Sequence, residues 1–520
     1  MFEIITGAVR GTILSAGILA GAGCVTDAAA GEDQAARYFD QIKDKPPFLR
    51  AFLQGMPKGG DLHNHLAGAV YAESYLEWAA EDGLCVDMAA PAILRPDQAS
   101  VCEGGTLKRA RDVLTDDDDR RRLIDALSMR SFVPSAGWSG HDQFFVTFPR
   151  MAEKPERLAD MVTRAANRAG RQNELYLELM VTLEFARILT LTADLDWAGG
   201  IEAAYEALHK AGLGAQLGEL VASARRSLDA AEEHRSRVLK CGTEDAEPGC
   251  EVEVRYLYQV IRTMPRNFVF AQNMLGFALT QQDERVVGLN LVAPEDYRVA
   301  LRDYRLHMEM LDYLRRTVGP IDITLHAGEL TLGLVRPDYL RSNIRDAIEI
   351  GHAKRIGHGI DIVYEDNSPE LLRHMAENGI MVEINLTSND VILGVSGKDH
   401  PISLYRAAGV PVALSTDDEG VSRIDLTHEY QRAVQTHGFS YRELKELSRN
   451  SITYSFLPGQ SLWKGGRPAA VCARGMLGAV KPDRACKSFL DGSEKARLQW
   501  RLEARYHTFE GTIGRWPRPQ

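Results

Sequence analysis

The chain alternates short apolar runs with longer stretches of helical periodicity. Strand-like runs occur at Asp61-Leu62-His63-Asn64-His65-Leu66, Leu175-Tyr176-Leu177-Glu178-Leu179-Met180-Val181, 253–261 and 286–292. They recur at Ile323-Thr324-Leu325-His326, Arg355-Ile356-Gly357-His358, Met381-Val382-Glu383-Ile384-Asn385 and 410–414, which makes eight strand candidates with helical patterns between them. Such alternation predicts parallel strands joined by right-handed crossovers. Eight such units predict an α/β fold, a (β/α)8 TIM barrel whose functional groups gather at the C-terminal ends of its strands.

The pattern is interrupted near residues 83–105 and 225–252, which read as insertions, and residues 458–520 read as a C-terminal appendage on a barrel spanning 56–457. Residues 25–55 read as a tail and a helix, broken at Pro46-Pro47. The run of four aspartates and three arginines at 116–122 reads as a solvated helix start with Thr115 as its cap. Trp138, His141, Phe144, Phe145 and Phe148 share helix-like spacing and are expected to be core, with part of the cluster available to line a mouth.

Composition adds class limits. Of 520 residues, 45% are apolar, enough for a large buried core. The net charge of −11, without a long basic run, argues against nucleic acid as the main partner. Residues 1–24 have the pattern of an export signal, in which Arg10 precedes a small-residue apolar run too short to span a bilayer. The run ends at Cys24, where a lipoprotein cut would leave a lipid-bearing cysteine; an ordinary secretory cut near 28–30 is the alternative. The expected location is therefore periplasmic, membrane-anchored or secreted, with a lipid as the sole membrane contact. Of seven cysteines, the six besides Cys24 fall into local pairs: Cys85 with Cys102, Cys241 with Cys250, and Cys472 with Cys486. Nearest-neighbour disulfides suit an oxidising compartment, and free thiols are the alternative.

Candidate chemistry sits at the strand ends. His63 and His65 lie on one face of the first strand, because side chains alternate. His326 and, three residues later, Glu329 end the fifth strand, His358 ends the sixth, and Asp417-Asp418 follow the eighth. Strands this apolar are buried on both faces, so charged groups there need partners. Imidazoles and carboxylates gathered in this way suit a zinc site.

Specific motifs carry a resemblance. Met56-Pro57-Lys58 precedes Asp61-Leu62-His63-Asn64-His65-Leu66-Ala67-Gly68-Ala69; then come His326-Ala327-Gly328-Glu329, Arg355-Ile356-Gly357-His358-Gly359, Ser388-Asn389, His400-Pro401 and Ser415-Thr416-Asp417-Asp418. Over residues 56–457 the chain resembles the adenosine deaminase family of the amidohydrolase superfamily, in its exported bacterial or secreted growth-factor-like branch. The resemblance implies one Zn²⁺ per chain held by His63, His65, His326 and Asp417. It also implies that His358 orients and deprotonates the attacking water, that Glu329 protonates purine N1, and that Asp418 contacts N7. The backbone N–H of Ala293 is then expected at N3. The implied activity is hydrolytic deamination of adenosine or deoxyadenosine to the inosine product plus ammonia, with a purine nucleoside as the small-molecule partner.

Three departures bear on that expectation. Ala67 stands where the family often has an acid that contacts ribose, so another 6-aminopurine, such as adenine or a modified adenosine, is the alternative substrate. Ala293-Pro294 replaces a glycine position. Asn385-Leu386 replaces Cys-Pro, and Glu419 a proline, both expected to lie away from the proposed ligands. A reading from another class is a catalytically silent nucleoside-binding or signalling module.

Overall fold

The structure, a computed structural model, describes residues 19–517 apart from 100, 103, 153 and 198, with side chains from residue 30 onward. The apolar run of the expected export signal before residue 19 and the side chain of Cys24 lie outside the described residues. Among those described, no helix is long and apolar enough to cross a membrane.

All eight expected strands form. They are β1 (Gly59–His65), β2 (Glu174–Val181), β3 (Glu253–Ile261), β4 (Val286–Val292), β5 (Thr324–Ala327), β6 (Arg355–His358), β7 (Met381–Ile384) and β8 (Val412–Leu414). Every pairing among them is parallel, in two four-stranded sheets ordered β1-β2-β3-β4 and β8-β7-β6-β5. Single bridges join the seams, Asn64 to Asp417 and Leu289 to Ile323, where the sheets do not share a ladder. At the first seam His65 N–H donates to Asp417 O and Asp417 N–H to His63 O, both at 2.9 Å. The motif after β8 is thereby fixed against β1. The strands are buried along nearly their whole length, as a sheet covered on both faces requires.

The barrel floor is closed by both chain ends. Helices Leu19–Ile42 and Pro46–Gly55 pack with the C-terminal helix Glu494–Thr512. Pro46 and Pro47 occupy the first turn of their helix, where a missing N–H costs nothing, so they start an element as well as separating two. Phe52 meets Phe509 edge-on at 5.0 Å, and Lys445 donates to both Glu32 (2.8 Å) and Glu510 (2.7 Å).

The insertion near 83–105 is a three-stranded antiparallel sheet of Ala92–Leu94, Cys85–Asp87 and Leu107–Arg109. All three expected disulfides are present: Cys85–Cys102, Cys241–Cys250 and Cys472–Cys486. The helix start at the charge run differs by one residue from the expectation. Asp116, not Thr115, caps helix Asp117–Ala126, accepting from Asp118 N and Asp119 N. Thr115 closes the preceding helix instead, and its hydroxyl bonds back to Asp112 O (3.1 Å).

The aromatic cluster, apart from Trp138 just before it, lies on helix Gly140–Arg150, which crosses the C-terminal end of the barrel. Before it, Met129 N donates to Val421 O beyond β8 (2.8 Å). A Cβ on Gly140 would lie 1.9 Å from Val391 O in the short helix Leu386–Leu393 beyond β7, so the helix start is pressed against that segment. His141 Nε2 reaches Asp296 beyond β4 (2.9 Å). Phe144 is buried as expected of core, whereas Trp138 stays partly exposed. The segment is a roof fastened to three strand ends.

Candidate metal centre

Every strand end that carries a candidate group delivers it to one buried point. His63 Nε2 and His65 Nε2 each lie 3.0 Å from His326 Nε2. Asp417 Oδ1 lies 3.3 Å from His63 Nε2 and 3.2 Å from His65 Nε2. Donors about 2.0–2.1 Å from a tetrahedral zinc stand about 3.3–3.4 Å apart, so the spacing is close to that of a ligand shell. His358 Nε2 is one step out, 3.7 Å from both Asp417 Oδ2 and Glu329 Oε1. By ligand-atom proximity it groups with His63, His326 and Asp417, while His65 groups with Asp417 and Asp418.

What stands behind the imidazoles identifies the group they suit. His63 Nδ1 bonds Glu383 Oε2 (2.6 Å), His65 Nδ1 bonds Gln259 Oε1 (2.8 Å), and His326 Nδ1 bonds Asn290 Oδ1 (2.9 Å). Each partner is an acceptor, so each ring places its proton on Nδ1 and turns the bare Nε2 lone pair inward. Three lone pairs and a carboxylate converging in a buried space repel one another unless a cation lies between them. Burial alone would lower the His63 pKa, yet its bonds to Asp417 and Glu383 push it up to about 10. Burial would raise Asp417, but His63 and His65 hold it well below the usual carboxylate range. A proton on His63 thus answers the carboxylates around it when no metal is bound; the centre is built for positive charge, and with that proton displaced its three imidazoles and one carboxylate fit Zn²⁺.

Backbone conformation aims these groups. His358 (φ 67°), Asp417 (φ 59°) and Ala293 (φ 79°) are left-handed non-glycine residues, all at or just past strand ends. Such backbone is strained by roughly 1–3 kcal/mol per residue and is held only by its surroundings. Ser388 Oγ donates to Asp417 Oδ2 (2.6 Å), and Thr416 Oγ1 to Asp61 Oδ2 (2.5 Å). Gly357 is required because a Cβ there would sit 2.6 Å from His63 Cε1.

The remaining candidate groups surround this centre. Burial, reinforced by Asp417, raises the Glu329 carboxyl to about 8, so it holds a proton at neutral pH. Its backbone N–H donates to Glu295 Oε2 (2.9 Å). Asp418 is likewise raised well above its usual range by burial and Asp417, and its Oδ1 is buried without a partner. Gly68 lies directly against it: a Cβ at 68 would be 1.5 Å from that oxygen. Burial lowers His358 to about 4. Its Nδ1 lies 2.8 Å from Asn389 Oδ1, and Asn389 reaches His400 (2.9 Å). Ala293 O accepts from Arg262 Nε (2.8 Å), and the same guanidinium donates to His326 O (2.9 Å). Ala67 offers no acid; its carbonyl accepts from Tyr75 OH (2.9 Å).

All the expected site residues within the barrel therefore meet at one end of it. Three partners carried no role in the sequence reading: Gln259, Asn290 and Glu383. Asn290 and Glu383 carried a signal, each being the one polar side chain inside an otherwise apolar strand, whereas Gln259 shares its strand with Glu253 and Arg255. Of the departures, Glu419 pairs with Arg168 (2.7 Å), away from the centre, whereas Asn385 touches His358, with Nδ2 at 3.4 Å from Nε2.

Eight parallel strands with a buried histidine–aspartate group at their C-terminal ends define the class as an α/β barrel with a candidate metal centre. A solved amidohydrolase from Burkholderia ambifaria, described with bound Zn, superposes with a TM-score of 0.54 at 15% identity, over 90% of this chain and 95% of that one. A family model described as adenosine deaminase matches residues 118–462, and the chain belongs to the adenosine deaminase family. Among curated relatives, adenosine deaminase from Shewanella loihica is 38% identical over 136 residues, covering 26% of this chain and 38% of that protein. The Clostridium perfringens adenosine deaminase is 31% identical over 181 residues, covering 35% of this chain and 51% of that protein. The matches thus span about 38–51% of the length of these relatives.

Proposed function

We propose that the protein is a zinc-dependent deaminase of 6-aminopurine nucleosides, converting adenosine to inosine and ammonia. The observation that carries this reading is the convergence of His63, His65, His326 and Asp417, with protonated Glu329 and neutral His358 beside them. Those four residues would hold one Zn²⁺, which supplies a Lewis acid and lowers the pKa of a bound water to about 7. His358, neutral at working pH, receives the proton of the attacking water at Nε2. Glu329 carries a proton where a purine N1 can take it, which makes C6 electrophilic. Asp418, kept protonated by burial, donates to the N7 acceptor. The Ala293 N–H is offered to N3 from its left-handed turn.

A second reading, deamination of adenine or a modified adenosine, is favoured by one observation: Ala67 brings no acid to the sugar side. A panel of adenosine, deoxyadenosine and adenine, followed at the adenine-to-hypoxanthine absorbance change, separates the readings. Adenosine at least tenfold above adenine in kcat/KM supports the first, and equal rates refute a ribose-dependent site. Export is part of the same proposal, supported by three disulfides. Mass spectrometry of the mature N-terminus would show either a lipid on Cys24 or a cut near 28–30. An intact Met1 in protein from its native host refutes export.

A further inference from the structure

Asn385 follows β7 directly and opens helix Leu386–Leu393. An asparagine at that place ordinarily caps its own helix, yet this side chain makes no capping bond. Glu429 does the capping: its Oε2 accepts from Thr387 N (3.1 Å), and its Oε1 accepts from the Thr387 hydroxyl. The released carboxamide turns toward the centre, with Nδ2 3.4 Å from His358 Nε2. Its other end, Oδ1, is buried without a hydrogen-bond partner, in a residue only 1% exposed. A buried amide oxygen without a donor is unfavourable and calls for an explanation. Polar neighbours on the same turn are committed elsewhere: Thr387 to Glu429, Ser388 to Asp417, and Asn389 to His358 and His400. None of these groups donates to Asn385 Oδ1.

We propose that Asn385 Oδ1 accepts a hydrogen bond from the 6-amino group of the bound purine, on the side where that group departs as ammonia. The inference rests on the deaminase reading above and adds a contact that the Cys-Pro of the resembled pattern would not make, since a thiol is a weak acceptor. The contact also distinguishes substrate from product. An amino group donates to Oδ1, whereas the 6-oxo group of inosine brings an acceptor against an acceptor. Asn385 therefore holds the substrate and disfavours the product at the same position.

The test compares wild type, Asn385→Ala and Asn385→Cys, the last close to asparagine in volume, as zinc-loaded enzymes. The substrates are adenosine and 6-chloropurine riboside, whose leaving chloride carries no N–H. Loss of one hydrogen bond predicts about a tenfold fall in kcat/KM on adenosine in either variant, with less than about a threefold fall on the chloro compound. A second readout needs no turnover: calorimetry should show inosine binding about threefold or more tighter to Asn385→Ala than to wild type. Parallel losses on both substrates with unchanged inosine affinity would show a merely structural role and overturn the proposal, as would undiminished activity on adenosine. Failure of the wild type on both substrates would refute the deaminase reading and this contact with it, and is seen before any variant is made.

Discussion

Replacing Glu383 by Gln probes the centre from behind. Glu383 Oε2 takes the His63 Nδ1 proton at 2.6 Å, and Oε1 takes Arg355 Nε at 2.6 Å and Thr324 Oγ1 at 2.8 Å. Burial would raise this carboxyl, but Arg355 and His63 hold it down to about 2. Glutamine keeps the shape and one acceptor but loses the charge, so it serves His63 or Arg355 and not both. Loss of a carboxylate behind a ligating imidazole weakens metal affinity about 10–100-fold, equivalent to about 1.4–2.8 kcal/mol. The fold should survive, because Arg355 keeps Glu178 at 2.5 Å and stacks on Phe456 at 3.8 Å. Glu383→Ala also opens a cavity and strands half of a buried ion pair, so it should cost about 3–5 kcal/mol of stability. The assay is zinc competition against a chromophoric chelator, with thermal midpoints recorded alongside. The sign of the pH effect follows from the depressed carboxyl: its stabilisation is present above the ordinary value of 4.5 and is lost as pH falls toward about 2. Wild type should therefore lose more stability across that window than Glu383→Gln. Zinc affinity equal to wild type in Glu383→Gln would refute the account of how His63 is held.

Other consequences are open to measurement. Glu329→Gln should retain zinc yet lose at least about 100-fold in kcat, because the amide cannot give up a proton; wild-type rates in that variant would remove Glu329 from the chemistry. Burial raises Glu329 to about 8, and a bound cation acts in the opposite direction, so kcat should fall as pH rises through a limb at or below about 8; a rate still rising above that point contradicts the assignment. Gly68→Ala places a Cβ 1.5 Å from Asp418 Oδ1 and should cut kcat/KM about 10–100-fold without changing zinc content; a change under twofold would free Asp418 from its role. Intact mass with alkylation before and after reduction should count three disulfides, and reduction should cost about 3 kcal/mol for the bridge separated by 17 residues; alkylation of any of these six cysteines without reduction would refute them.

The barrel was legible because its strands are apolar enough to be buried on both faces, and four of the eight run into imidazole or carboxylate residues at their ends. The ligand set could be read for the same reason, since polar groups at the ends of such strands need a common partner. The residues behind the ligands were harder. Gln259, Asn290 and Glu383 stand inside strands, and nothing in a one-dimensional pattern says which ring each one meets. Asn385 was expected to lie apart from the ligands; its contact with His358 depends on Glu429, 44 positions later in the chain, taking over the helix cap. The roof helix was read mainly as core because Phe144 and its neighbours have helical spacing. Its attachment to three strand ends arises from contacts distant in sequence.

Metal-depleted protein is titrated with Zn²⁺ while adenosine turnover is followed by absorbance. No turnover is expected without metal, then a linear rise in rate and saturation at one Zn²⁺ per chain. Turnover that persists in the metal-free protein, or none on any 6-aminopurine at full zinc occupancy, would contradict zinc-dependent deamination.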